Sequence, residues 1–375
     1  MLRNYQLKNY NFKLIINVLI LGVMGLVFIY SADSSFLVKQ AMGLTMGLCV
    51  MVLVSLIDFQ IFTRNAIPLY ALNMVLLIGV RLFGKDVNNA RRWFSLGPLG
   101  TFQPSELTKI IMIIFVTVFL LRHEDDLNEP KTLGKLALWC APPLYMILEQ
   151  PNLSTALDIC FIVIAMLFVA GLDSKLIVRV LIIGIPLLII FLWYVQQPGQ
   201  ILLKPHQVDR IMSFLHPEDY ADSTALQTNN SVMAIGSGGL FGKGFGSNTI
   251  SDVSASDVNL VSEQQTDFIF SVVGEEYGFV GCLVVIAVLF SLVFQCIQVA
   301  RKADNGEGAL VAVGIASYMG FQSFINIGVA TGVMPNTGLP LPFISYGLSS
   351  ILSASICIGL LLNINLQSKG MRRII

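Results

Sequence analysis

The stretch Ser262 to Gly281, SEQQTDFIFSVVGEEYGFVG, sets four carboxylates (Glu263, Asp267, Glu275 and Glu276) in or beside an apolar run. The chain is 55% hydrophobic and only 12% charged, so acid in such a run needs a reason. Asp267 is the first candidate. Read as one turn into a helix, it shares a face with Ser271, Gly274, Gly278 and Gly281, all within about 40° at 100° per residue. Two uses fit that face. Small residues let helices pack closely while Asp267 caps the helix start. Alternatively they leave a groove through which a bulky chain approaches an acid at membrane depth, where ionisable groups are functional candidates. Glu276 falls on the opposite face.

Other residues offer charge of both signs. In FQPSELTKI, Pro104 suits the first position of a helix. Glu106 and Lys109 are three apart and share one face of that helix. They form either a neutralising ion pair or a polar cavity open outward, with Lys109 available to an anion. In NNARRWFSLG, Arg91 and Arg92 beside Trp93 suit anchoring at a membrane interface, or phosphate capture by guanidinium. On those residues alone anchoring is the stronger reading. GSGGLFGKGFG is no phosphate-binding P-loop, because Lys243 is followed by Gly rather than Ser or Thr. It reads as a tight, flexible turn near the membrane surface. From Asn326 to Ser350, three prolines (Pro335, Pro340, Pro342) and several glycines interrupt a helix. Irregular backbone at membrane depth is tolerated only where it lines a cavity or is buried by protein.

These residues must be held by spanning helices. Mean hydropathy is +0.75, and apolar runs of about 20 residues recur along the chain. Ten spans are expected, near 12–31, 36–57, 66–83, 104–121, 133–149, 153–171, 176–195, 266–298, 308–330 and 347–366. The fold class is therefore all-α integral membrane, one polytopic domain over 1–375. The first span is too long for a signal-peptide core and reads as uncleaved. The eighth is long enough to begin outside the hydrocarbon or to bend. Two loops stand out, about 84–103 and the much longer 196–265 between helices 7 and 8. The second holds a possible amphipathic helix, HQVDRIMSFLHPEDY. Basic residues are richer on the side of Arg3, Lys131, Arg301 and Arg373, which puts both termini in the cytoplasm and both long loops outside. A net charge of zero offers nothing to nucleic acid. The six cysteines lie in apolar runs without a CxxC, as core residues rather than a disulfide or zinc framework. The three histidines are scattered, and no organic cofactor is suggested.

Taken together, the segments ARRWFSLGPLGTFQPSELTKI, EQPNLSTA, DRIMSFLHPED, AIGSGGLFGKGFG, SEQQTDFIFSVVGEEYGFVG and NIGVATGVMPNTGLPLPFISYG resemble the SEDS proteins (shape, elongation, division and sporulation) in content, order and spacing. The resemblance covers essentially the whole chain. The short inner tail and compact loops look more like RodA than FtsW. It implies a peptidoglycan glycosyltransferase of the bacterial cytoplasmic membrane, polymerising lipid II on the outer face for elongation and shape. It implies a class B penicillin-binding protein as partner. The family's essential aspartate falls on Asp267, and the glutamate and lysine of QPSELxK fall on Glu106 and Lys109. Asp267 would then be general base to the acceptor's 4-hydroxyl. Lys109, Arg91, Arg92 and Arg210 would meet the leaving diphosphate, with Mg²⁺ or Mn²⁺ as an optional aid.

The chain departs from the family pattern in places. Where the family reads QPDLGT, this chain has Asn152 and Ser154. Asp158, six residues on, lies too far round the helix to stand in for the lost aspartate. Ser262 and Gln265 replace a proline and a histidine, and Leu348 adds bulk to SYGGSS. Two other functions remain open from sequence: a flippase for the lipid-linked precursor, and a scaffold that recruits a synthase. The outer clustering of the polar candidates and the lack of an internal repeat speak against transport.

Overall fold

Helix starts are written plainly into the sequence. Asn11, Asp58, Asn152, Asp173 and Asn305 each accept a hydrogen bond from a backbone N–H of the first turn that follows, which satisfies a donor that the helix cannot. Pro104 and Pro130 open two further helices, where a missing N–H costs nothing. The computed structural model describes residues 10–87, 90–95, 97, 100–150, 152–197, 200, 205–216, 218–219, 224–247 and 264–368.

Within them the chain forms α1 (Phe12–Ala32), α2 (Leu37–Leu56), the short α3 (Phe59–Arg64) and α4 (Ala66–Phe83). A small antiparallel sheet follows, β1 (Lys85–Val87), β2 (Ala90–Ser95) and β3 (Thr101–Phe102), in the order β1-β2-β3. Then come α5 (Pro104–Arg122), α6 (Pro130–Glu149), α7 (Leu153–Val169) and α8 (Ser174–Val195). The long loop carries α9 (Pro205–Leu215) and α10 (Thr224–Ser237). The chain finishes with α11 (Ile269–Lys302), α12 (Gly306–Ala330) and α13 (Leu348–Gln367). All ten expected spans have a helix. Eight are long and apolar enough to cross a membrane, whereas α7 is a shorter apolar helix and α6 is less apolar. The sheet and α10 were not foreseen, because their segments are too short or too polar for a periodic signal.

The most buried spanning helices are α5, α12 and α13. The chief pairings are α2 on α13, α11 on α12, α7 on α12, α1 on α11 and α4 on α5. By contrast, the apolar stretch of α8 has no buried side chain among the described residues. Two ends of the bundle are distinct. At one, Tyr10 OH meets Ser55 Oγ, and Asn363 Nδ2 near the end of α13 donates to Ser55 O. At the other, Gln40 Nε2 donates to Ser345 O, and Ser349 Oγ accepts from Gln103 N. The sheet, α13's start and Asp267's turn share this second end.

Of the two readings of the eighth span, a start outside the hydrocarbon or a bend, the bend is present. Gly278 interrupts α11 with φ 64° and ψ −160°, a conformation open to glycine. Four of the backbone groups around the break are met by the glycine-rich loop after α10. Lys243 N and Gly244 N donate to Glu275 O and Glu276 O at 2.9 and 3.0 Å. Phe279 N and Val280 N donate to Gly239 O and Leu240 O at 2.9 and 3.1 Å. The loop thus completes a broken helix, which explains its glycines: a Cβ on Gly242 would sit 2.1 Å from Glu276 O. It is a fitted joint rather than the flexible turn expected. The cysteines form no disulfide, and four of them are buried. Cys49, expected in the core, is exposed on α2, and Cys160 is half-buried.

Candidate functional site

Asp267 does not lie within a helix. It sits in the turn 264–268 just before α11, and three bonds anchor that turn, one from α12 and two from the proline-rich loop 331–347. Asn326 Nδ2 donates to Asp267 O at 2.9 Å, Ser345 Oγ donates to Thr266 O at 2.6 Å, and Tyr346 N donates to Gln265 O at 2.8 Å. The carboxylate lies against Gly338, where an added methyl would be 3.2 Å from Asp267 Oδ2. Asp267 is half-buried while its neighbours Phe268 to Glu276 are buried.

The groove expected below Asp267 is filled. Ile235 of α10 occupies the notch at Gly274, and Leu240 and Gly242 close on Gly278. The break at Gly278 also ends the single helical face on which those residues were aligned. Close packing is what the small residues achieve. Glu275 and Glu276 are spoken for as well. Glu275, 1% exposed, accepts from Lys243 Nζ at 2.8 Å, and Glu276 accepts a hydrogen bond from Ser31 Oγ of α1.

Glu106 and Lys109 meet as an ion pair at 2.9 Å, with the lysine side chain wholly buried. Both side chains are buried, so the pair stands inside the bundle. Three members of the cluster had not been foreseen. Asp158 Oδ2 on α7 lies 3.5 Å from Lys109 Nζ. Tyr318 of α12 donates to Glu106 Oε2 at 3.3 Å, and its ring lies 4.3 Å below the ammonium. Lys109 also donates to Gln322 Oε1 at 2.8 Å. One ammonium therefore holds two carboxylates, an amide and an aromatic face, a set in which a buried cation is compensated.

The cluster reaches the Asp267 turn through α12. Tyr318, Gln322 and Asn326 are spaced four apart and so lie along one side of that helix. Gln322 Nε2 donates to Pro340 O at 2.6 Å, and Asn326 Nδ2 to Leu339 O at 2.7 Å. Two hydrogen-bonded stretches, Lys109–Gln322–Pro340 and Leu339–Asn326–Asp267, thus meet at the Leu339–Pro340 peptide. The polar triplet in an apolar helix was the signal that could have found it. Asp158, alone in LSTALDICFIVIAMLFV, was another; its partner is Lys109, not the position of Asn152.

The departures from the family pattern have local explanations. Asn152 caps α7 and donates to Ser105 Oγ at 3.4 Å. Ser154 Oγ donates to Thr337 O, binding the start of α7 to the same loop that faces Asp267. Arg91 is exposed on β2, and Arg92 is half-buried with its guanidinium 5.7 Å from the Trp93 ring. Arg210 lies on α9, but its side chain falls outside the described residues, as do Ser262 and Glu263. Among the described residues no three His, Cys, Asp or Glu side chains gather to hold a metal ion.

Comparison with known proteins gives the same answer throughout. The family model for FtsW, RodA and SpoVE, described as "Cell cycle protein", matches residues 12–370. The probable peptidoglycan glycosyltransferase FtsW of Geobacter sulfurreducens is 32% identical, covering 97% of each chain. Its Bacillus subtilis counterpart is 32% identical over 97% of this chain and 92% of its own. A chain from a peptidoglycan synthase complex, solved to show how polymerization and crosslinking are coordinated, superposes with TM-score 0.80 at 30% identity, covering 95% and 97% of the two chains. The rod shape determining protein RodA of Thermus thermophilus gives 0.69 at 28% identity, covering 96% and 98%. The chain belongs to the SEDS family of FtsW, RodA and SpoVE proteins.

Proposed function

We propose that the protein is a peptidoglycan glycosyltransferase that polymerises lipid II at the outer face of the bacterial cytoplasmic membrane. The observation that carries this is Asp267: a half-buried carboxylate on a turn clamped at three consecutive residues, at the end of the bundle opposite Tyr10 and Asn363. A carboxylate so held can take the proton of an incoming sugar hydroxyl as that oxygen bonds to the donor's anomeric carbon and the diphosphate leaves. Arg91, Arg92 and Arg210 are assigned to the diphosphate's charge. Lys109 and Glu106, buried and mutually engaged, are assigned to holding the loop behind Asp267 rather than to touching substrate.

The proposed orientation follows the basic residues, with both termini cytoplasmic. A class B penicillin-binding protein is the proposed partner, in line with the synthase complex whose chain this one matches. The RodA-like reading rests partly on the tail, whose residues 369–375 lie outside the described residues. The relatives carry both names.

The test is polymerisation of purified lipid II by the protein in liposomes, with and without a cognate penicillin-binding protein. Wild type makes long glycan, and folded Asp267→Asn makes none. Full polymerisation by Asp267→Asn would remove Asp267 from the chemistry. No product from wild type with its partner present would favour a scaffold or a flippase.

A further inference from the structure

Beside the Asp267 loop lies a cavity of about 690 Å³ that plays no part in the chemistry described above. It opens between α9, α10 and the first residues after α12. Its volume is in the usual range for small-molecule sites. Phe214, Asn229, Asn230, Met233, Met334 and Asn336 are among the residues that line it. None of the described residues lining it is charged.

That composition excludes one occupant and suits another. A diphosphate needs cations or a row of backbone donors, and the side chains of this wall are carboxamides, hydroxyls, thioethers, one aromatic ring and the aliphatic Leu226, Val232 and Pro335. Amides pair with hydroxyl and acetamido groups, which both donate and accept. An aromatic ring and thioethers offer an apolar surface for the C–H face of a sugar ring.

The position is equally specific. Asn336 of the cavity wall is two residues before Gly338, which touches the Asp267 carboxylate. Two residues of chain reach at most about 7 Å. Between them, Thr337 Oγ1 is buried without a hydrogen-bond partner in the protein.

We propose that this cavity is a saccharide subsite, which receives the uncharged N-acetylated sugar units adjoining the one that reacts at Asp267. The choice of sugar rests on the polymerase function proposed above. The subsite separates recognition in two: neutral glycan is held by the long loop and the loop after α12, and the charged diphosphate is met elsewhere.

The probe is a soluble tetramer of β-1,4-linked N-acetylglucosamine, titrated against the full-length protein in lipid nanodiscs and followed by saturation-transfer NMR and calorimetry. Wild type is expected to bind it saturably. Phe214→Ala and Asn229→Ala should weaken that binding by about fivefold or more, the loss of one ring contact or one hydrogen bond. Asn229 is exposed, so its truncation leaves the fold intact. Phe290→Ala, on the outward face of α11, should bind as wild type does. Absence of saturable binding by wild type, or wild-type affinity in both cavity variants, overturns the subsite. The probe carries neither diphosphate nor prenyl chain. Polymerisation of lipid II without probe binding therefore defeats the subsite alone, whereas probe binding without polymerisation defeats the polymerase function and leaves a saccharide site.

Discussion

Gly338 governs where the Asp267 carboxylate can rest. Its φ is +73°, and a methyl placed on it would press on Asp267 Oδ2 at 3.2 Å. Gly338→Ala should therefore lower lipid II turnover by about 10²-fold, since a small misplacement of a reacting group costs that much. Circular dichroism and melting in detergent should show the fold retained. Lys109 poses the opposite case, a stability residue. Lys109→Met would leave Glu106 and Asp158 buried around no cation, at a cost of about 3–5 kcal/mol. Adding Glu106→Gln and Asp158→Asn should recover most of that loss, as read from thermal unfolding. A single variant as stable as wild type would show that the three side chains do not act as one cluster. Part of this was legible in advance. Glu106 and Lys109 could be paired from their spacing, because both lie on one helix. Asp158 could not be joined to them, since its contact depends on how α7 packs against α5, which no local pattern encodes.

Among the elements, α11 shows how a correct outline can hide a wrong interior. Its length allowed a bend or a start outside the hydrocarbon, and a bend exists at Gly278. The aligned face of small residues was drawn on an unbroken helix, and the break invalidates it. The partner that completes the helix, the loop 238–246, comes from a segment well upstream, so the joint is tertiary and leaves no periodic trace. Gly242→Ala tests it. The residue has φ +79° and faces Glu276 O at 2.1 Å through any added Cβ, so the change should cost more than about 2 kcal/mol. Limited proteolysis should then cut the loop more readily. Gly134→Ala on α6 is the matched contrast, with nothing within 4 Å of its added Cβ. It should be neutral or stabilise by up to about 1 kcal/mol through helix propensity. Equal effects at the two glycines would refute the joint.

At the scale of the molecule, stability should be unevenly distributed. Ile113 of α5 is 1% exposed and fits the notch at Gly314 of α12. Ile183 of α8 is 62% exposed. Ile113→Ala should cost about 2–4 kcal/mol and Ile183→Ala within about 0.5 kcal/mol, measured by unfolding in the same detergent. Similar losses at both would mean that α8 is packed in solution. The ten-span plan was readable because lipid demands long apolar runs, a constraint that acts on sequence directly. The unequal burial of those spans was not readable, since lipid and a protein core ask for the same side chains.

The interrupted α11 also bears on how the chain enters the bilayer. From Phe279 to Lys302 the helix runs roughly 36 Å at 1.5 Å per residue, enough to cross the hydrocarbon alone. That stretch contains no Asp or Glu. Glu275 and Glu276 stand on the other side of the break. The insertion machinery, which weighs each segment by its apolar content, can accept the lower piece without weighing the acids. The upper piece is bridged to it by a loop earlier in the chain, so the pair of buried glutamates stands outside the span that the machinery must weigh.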